Sequence, residues 1–205
     1  MSSIPTPTPA PDTIDRELRT MLANGERERA TELAIRTYGP EVVGWLRSIM
    51  RSDADAQDAF SRMSEELWNS LQRFDGRCSV RTWCYMLARH AAAHVRSHPR
   101  NAHEVLVSSV PSVLGAVTHV WNTTKGVAKQ AEDVYAAIRG ELADEDQTLL
   151  VLRVDKNLSW REIAQVLCGE DASADEVERK GATLRKQFER IKVRLRELAA
   201  DRLRD

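Results

Sequence analysis

The segment from Phe74 to Arg96 constrains this chain most, because it reads with one periodicity only. Asp75-Gly76 gives a turn signal, and the residues after it repeat at helical rather than strand spacing. Val80, Trp83, Leu87, Ala91 and Val95 fall on one face, and Arg81, Tyr85, Arg89 and Arg96 on another, with Ala92 filling the row. Between Arg77 and His103 stand five arginines, four histidines and no carboxylate. Such a helix packs through one side and offers the other to anions. Arginines beside an aromatic ring can hold phosphates and stack on bases.

The net charge of −1 would by itself argue against a polyanionic partner, but the charge is segregated. After the cationic helix, residues 131–178 hold thirteen acids against four bases, and residues 179–205 hold ten bases against four acids. Two basic surfaces flanking an acidic block predict two separate contacts with a polyanion, with the acidic block restraining loose binding.

The predicted fold class is all-α, two small helical domains joined by a linker. Residues 1–12, rich in Pro, Thr and Ser, read as a disordered extension. Residues 13–98 form a first helical domain. In it, Pro40 is expected at the first turn of a helix over 41–50, and Asp53 or Asp55 is expected to cap the next one. Phe60, Met63, Leu67, Leu71 and Phe74 form its apolar stripe, and Trp45, Trp68 and Trp83 are expected as core anchors. Residues 99–130 read as a linker in which 112–120 can form a short helix. Residues 131–205 form the second domain, with helices expected over 131–142 and from Asp144. Ser159-Trp-Arg-Glu162 is a capping-box signature ahead of Ile163, Ala164, Val166 and Leu167. A final basic helix carries Leu184, Phe188, Ile191, Leu195 and Leu198 inward. The short capped helix followed by a basic one is a helix-turn-helix pattern. The stretch between Leu167 and Thr183 is long for that motif, so Ser173 or Asp175 is expected to start an extra turn or extend the last helix backward.

These two stretches together resemble one family, the bacterial RNA polymerase sigma factors of the sigma-70 family, extracytoplasmic-function type. Asp55-Ala-Gln-Asp58 followed by Trp68, and Phe74-Asp-Gly-Arg through Arg81-Thr-Trp83 to Arg96, are similar to their region 2. Asp146-Gln-Thr-Leu-Leu, Leu158-Ser-Trp-Arg-Glu-Ile-Ala164 and Thr183 through Leu198 are similar to region 4. His90 and His94 stand where the family commonly has Asn and Asp. The resemblance implies a factor that binds core RNA polymerase, recognises minus-ten and minus-thirty-five promoter DNA and promotes initiation, without being an enzyme. It assigns Arg77, Arg81, Trp83, Tyr85, Arg89 and Arg96 to the melted minus-ten region. Lys180, Thr183, Arg185, Lys186, Gln187 and Arg190 fall to the minus-thirty-five element, and Asp55, Asp58, Arg62 and Glu65 to the polymerase clamp. It also allows an anti-sigma factor as a partner.

Two rival readings stand beside it. One is a helix-turn-helix regulator acting on duplex DNA without core polymerase. The other is a metal-dependent helical protein, since His90, His94 and His98 recur at i, i+4 and i+8; no acid lies near to orient them, so no metal and no cofactor is expected. Three cysteines without zinc spacing read as reduced thiols, and no apolar run reaches membrane-spanning length. The expected location is the cytoplasm, with no membrane insertion.

Overall fold

The computed structural model describes residues 11–50, 52–98, 111–124 and 141–202, and among these every regular element is helical. In chain order they are α1 (Pro11–Ala23), α2 (Arg27–Ile49), α3 (Asp53–Ser70), α4 (Val80–Ser97), α5 (Pro111–Thr123), α6 (Asp144–Leu150), α7 (Trp160–Cys168) and α8 (Ala174–Arg202). A single 3-10 turn, Leu71–Arg73, follows α3, and a π-helical stretch, Val151–Asp155, follows α6. The extension at 1–10, the linker residues 99–110 and 125–130, and most of the helix expected over 131–142 lie outside the described residues.

Local chemistry sets the helix boundaries. Ser52, rather than Asp53 or Asp55, caps α3: its hydroxyl accepts from the Asp55 amide at 3.1 Å. The two aspartates occupy the first turn instead, where their charge complements the helix dipole. Ser159 and Glu162 form the reciprocal capping box that their spacing predicts. At the start of α8, Ser173 and Glu176 do the same, with three hydrogen bonds of 2.8–3.3 Å between them. The last helix therefore does extend backward from Thr183, by more than two turns.

Pro40 departs from its expected place. It lies inside α2, which runs unbroken from Arg27 to Ile49. A proline disfavours helical conformation in the residue before it by crowding that residue's Cβ. Here the preceding residue is Gly39, which has none. The same missing Cβ lets α5 approach, since a methyl group there would sit 3.0 Å from Val120 Cγ1 and 3.2 Å from Phe60 Cζ.

Helix α5, from the segment read as a linker, packs on α2 through Val113, Ala116, Val117, Val120 and Trp121. Its far end is held by Arg47, whose guanidinium lies 4.3 Å from the Trp121 ring centre and donates to the Thr124 carbonyl at 2.8 Å. The buried side chains of all eight helices form one continuous core. Trp45 is fully buried and Trp83 nearly so, while Trp68 sits partly buried beneath the guanidinium of Arg27 at 3.9 Å.

Candidate nucleic-acid interface

Helix α4 is central to the molecule. Its amino end is held twice: the Ser79 hydroxyl accepts from the Thr82 amide, and the buried Asp15 carboxylate of α1 accepts from the Val80 amide at 3.1 and 3.2 Å. An anion at a helix amino terminus is the favoured arrangement. Tyr38 donates to the same carboxylate at 3.4 Å, and burial with this neighbouring charge pushes the Tyr38 phenol well above its ordinary value.

From Thr82 to Ala88 every residue of α4 is buried, so its first half is covered on all sides. Two expectations are corrected by this. Tyr85 does not stand on an exposed cationic face; its ring is wholly buried, edge-on to Trp45 with centroids 5.5 Å apart. Arg81 is not an open phosphate grip either. It makes a bidentate pair with Glu41 of α2 at 2.7 and 2.8 Å, and also donates to the Lys156 carbonyl at 2.8 Å. The hydrogen bonds to Glu41 raise its already high pKa. Trp83 packs edge-on against Phe74 at 5.6 Å and reaches Ser70 Oγ with its indole N–H at 3.4 Å. Its place is in the core.

The Arg81–Glu41 pair yields a direct prediction. With the carboxylate gone, a guanidinium only 18% exposed keeps a single carbonyl partner. Glu41→Ala should therefore destabilise the fold by about 2 kcal/mol, less than for a fully buried pair because both side chains still touch water. Urea unfolding of Glu41→Ala, Arg81→Ala and the double variant measures the coupling, and additive losses would show that the pair contributes nothing.

The remaining cations of the segment are more open. Arg77 is exposed and pairs with Asp75. Arg96 donates to the Ile49 carbonyl at 2.7 Å while remaining exposed. Arg89 and Arg96 line one cavity of about 210 Å3. His94 and His98 stack at 4.4 Å, whereas burial and the adjacent Arg89 hold the His90 imidazole below its usual pKa. Among the described residues no group of three His, Cys, Asp or Glu side chains is placed to hold a metal ion.

On α8, Leu184, Ile191 and Leu198 are buried, with Phe188 and Leu195 partly so, and the candidate contacts divide around them. Thr183, Lys186 and Arg190 are exposed and share one stripe at i, i+3 and i+7. Arg179, one turn before Thr183, extends that stripe; its position at i−4 from Thr183 was the available signal. Arg185 is exposed but lies more than a third of a turn from the middle of that stripe. Lys180 and Gln187 face the body of the molecule: Gln187 donates to Asp146 at 2.7 Å, and both line the cavity that holds Arg89 and Arg96. On α3, Asp55, Asp58, Arg62 and Glu65 fall at successive i+3 and i+4 positions, on a stripe about a third of a turn from Ala59, Met63 and Leu67; Arg62 is exposed and the other three are half-buried. Arg62 pairs with Glu66 at 3.4 Å.

Residues 34–100, about two thirds of α2 together with α3 and α4, match the family described as Sigma-70 region 2. This segment is similar to sigma-70 region 2 domains. The match covers about a third of the chain and supports a sigma factor of the sigma-70 family, with a role in RNA polymerase binding and promoter melting. Neither the curated proteins nor the solved structures compared with the chain give a match. Among the described residues no helix is long and apolar enough to cross a membrane.

In the matched segment, the signal that sequence reasoning missed was Glu41. It lies forty residues before Arg81 in the chain and neutralises it across the α2–α4 contact. Lys156 was missed likewise; its carbonyl reaches Arg81 from the second half of the chain.

Proposed function

We propose that this chain is a cytoplasmic sigma factor of the extracytoplasmic-function type, with region 2 over 13–98, a linker over 99–130 and region 4 over 131–205. Asp55, Asp58, Arg62 and Glu65 of α3 bind the clamp of core polymerase. Arg77, Arg89 and Arg96 hold the backbone of the opened minus-ten strand, joined by Arg81 once it exchanges Glu41 for phosphate. Trp83 supports that surface from within the core. Helix α8 enters the major groove at the minus-thirty-five element, where Thr183, Lys186 and Arg190 carry the contact, Arg185 flanks it, and Lys180 and Gln187 border it on the inner side.

The observation that carries the reading is a combination in one chain. A sigma-70 region 2 match is followed by a capped short helix and a long helix bearing an exposed cationic stripe. A regulator acting without polymerase would use the second part and leave the first without a role. Run-off transcription with purified core polymerase on genomic fragments tests the proposal. Discrete transcripts that depend on added protein are expected; DNA binding without core association or transcripts would transfer the assignment to the helix-turn-helix regulator.

A further inference from the structure

Helices α2, α4, α6 and α8 contribute walls to one cavity of about 210 Å3. Its floor is apolar: Trp45, Ala92 and Leu184 line it, and all three are buried. The Trp45 indole N–H has no hydrogen-bond partner, although its ring is wholly buried. A buried donor left in this way favours any acceptor that reaches it.

The rest of the wall carries charge of both signs on separate helices. Arg89 and Arg96 of α4 and Lys180 of α8 supply three cations, and Asp144 and Glu145 at the start of α6 supply two acids. Among the described residues Arg89, Lys180, Asp144 and Glu145 form no hydrogen bond or ion pair. Arg96 gives one donor to the Ile49 carbonyl and keeps the others. Elsewhere in this chain opposite charges close on each other: Arg47 with Asp53, Arg77 with Asp75 and Arg81 with Glu41 stand 2.5–2.8 Å apart. Around the cavity they stay apart across open space.

We propose that this cavity binds a small zwitterion of the α-amino acid class. The ligand carboxylate is taken by Arg89, Arg96 and Lys180, its ammonium by Asp144 and Glu145, and its side chain by the apolar floor. Each sign of charge excludes a simpler ligand. A phosphate or a nucleic-acid backbone would meet two carboxylates, and a plain amine would meet three cations. A zwitterion gains charge-assisted hydrogen bonds at both ends, the strong kind. Size points the same way, since sites for drug-sized ligands run to roughly 300–1,000 Å3. Such a site goes beyond promoter recognition, and filling it requires neither core polymerase nor DNA.

The test uses the full chain alone and follows its melting temperature with each common free amino acid at about 2 mM. Sodium acetate, ethylammonium chloride and sodium phosphate are run beside them at equal ionic strength. One or a few amino acids should raise the melting temperature by about 4 °C, the shift that a dissociation constant on the order of 100 µM produces. The separate ions should raise it by less than about 1 °C. Isothermal titration of the best amino acid then compares variants. Lys180→Gln removes a partner of the carboxylate, and Asp144→Asn with Glu145→Gln removes the partners of the ammonium. Each should weaken binding about tenfold or more. Glu178→Gln, exposed on α8 and outside the cavity wall, should bind as the natural chain does. Melting curves without ligand show which variants fold, and either cavity variant suffices if the other does not. No amino acid exceeding the ions, acetate or phosphate matching the best amino acid, or cavity variants binding as tightly as Glu178→Gln would each overturn the site.

Discussion

Lys186→Ala combined with Arg190→Ala is expected to lower promoter-dependent run-off transcription about thirtyfold while leaving association with core polymerase unchanged. The size follows from losing two groove or phosphate contacts at about 1 kcal/mol each. The two side chains stand on the exposed stripe of α8 and enter no hydrogen bond or ion pair described for the helix, so the fold should not register their removal. Arg185→Ala, more than a third of a turn from the middle of that stripe, provides the internal comparison and should cost only a few-fold. Equal losses for Arg185→Ala and the double variant would mean that α8 is rotated about its axis relative to the groove. Full activity of the double variant would remove α8 from promoter contact altogether. Melting temperatures measured in parallel separate a contact effect from a folding effect.

The largest stability effect is expected at Gly39. Gly39→Val inserts a branched side chain where even a Cβ is 3.0 Å from Val120 and 3.2 Å from Phe60. Overpacking of this kind typically costs 1–3 kcal/mol, and the Cβ now also crowds Pro40 in a helical conformation. About 3 kcal/mol together corresponds to a fall in melting temperature of roughly 6–12 °C for a domain of this size. Differential scanning calorimetry reads it. Gly39→Ala is the informative companion, because improved helix propensity of about 1 kcal/mol opposes the closer contact. Val120→Ala should partly rescue Gly39→Val by clearing the nearer neighbour, a coupling expected only for residues in contact. A Gly39→Val protein as stable as the parent would show that α5 does not depend on this close approach.

What the sequence disclosed and what it concealed follow one distinction. Signals confined to a few neighbouring residues were readable. Ser159 with Glu162, the charged start of α6, the backward extension of α8 from Ser173 and the apolar stripe from Leu184 to Leu198 all depend on spacings of three or four. Contests between equally suited neighbours were not readable: Ser52 takes the cap that Asp53 and Asp55 could each have filled. Pro40 looked like a helix start because a proline inside a helix is costly, and only the packing of α5 against Gly39 shows why the pair is retained mid-helix. Long-range pairing was hidden most completely. Amphipathic periodicity placed Tyr85 with the arginines, but α2 brings Trp45 to that side and buries the ring. Glu41 gave no local sign that it would neutralise Arg81. The candidate site was therefore legible as a cationic helix, and its charge state was not.

Under the proposed function, the seating of α5 on α2 has a metric consequence for the promoter. Arg47, against Trp121 and the Thr124 carbonyl, fixes α5 to α2 as far as Thr124. Seventeen peptide steps then lead to Glu141, and a fully drawn-out chain spans at most about 60 Å over that length. At 3.4 Å per base pair this is the axial rise of roughly eighteen base pairs. So long as α5 stays docked, the separation of Thr124 and Glu141 has this upper stop, and loosening that one helix would lengthen the reach between the two halves that the proposed function needs.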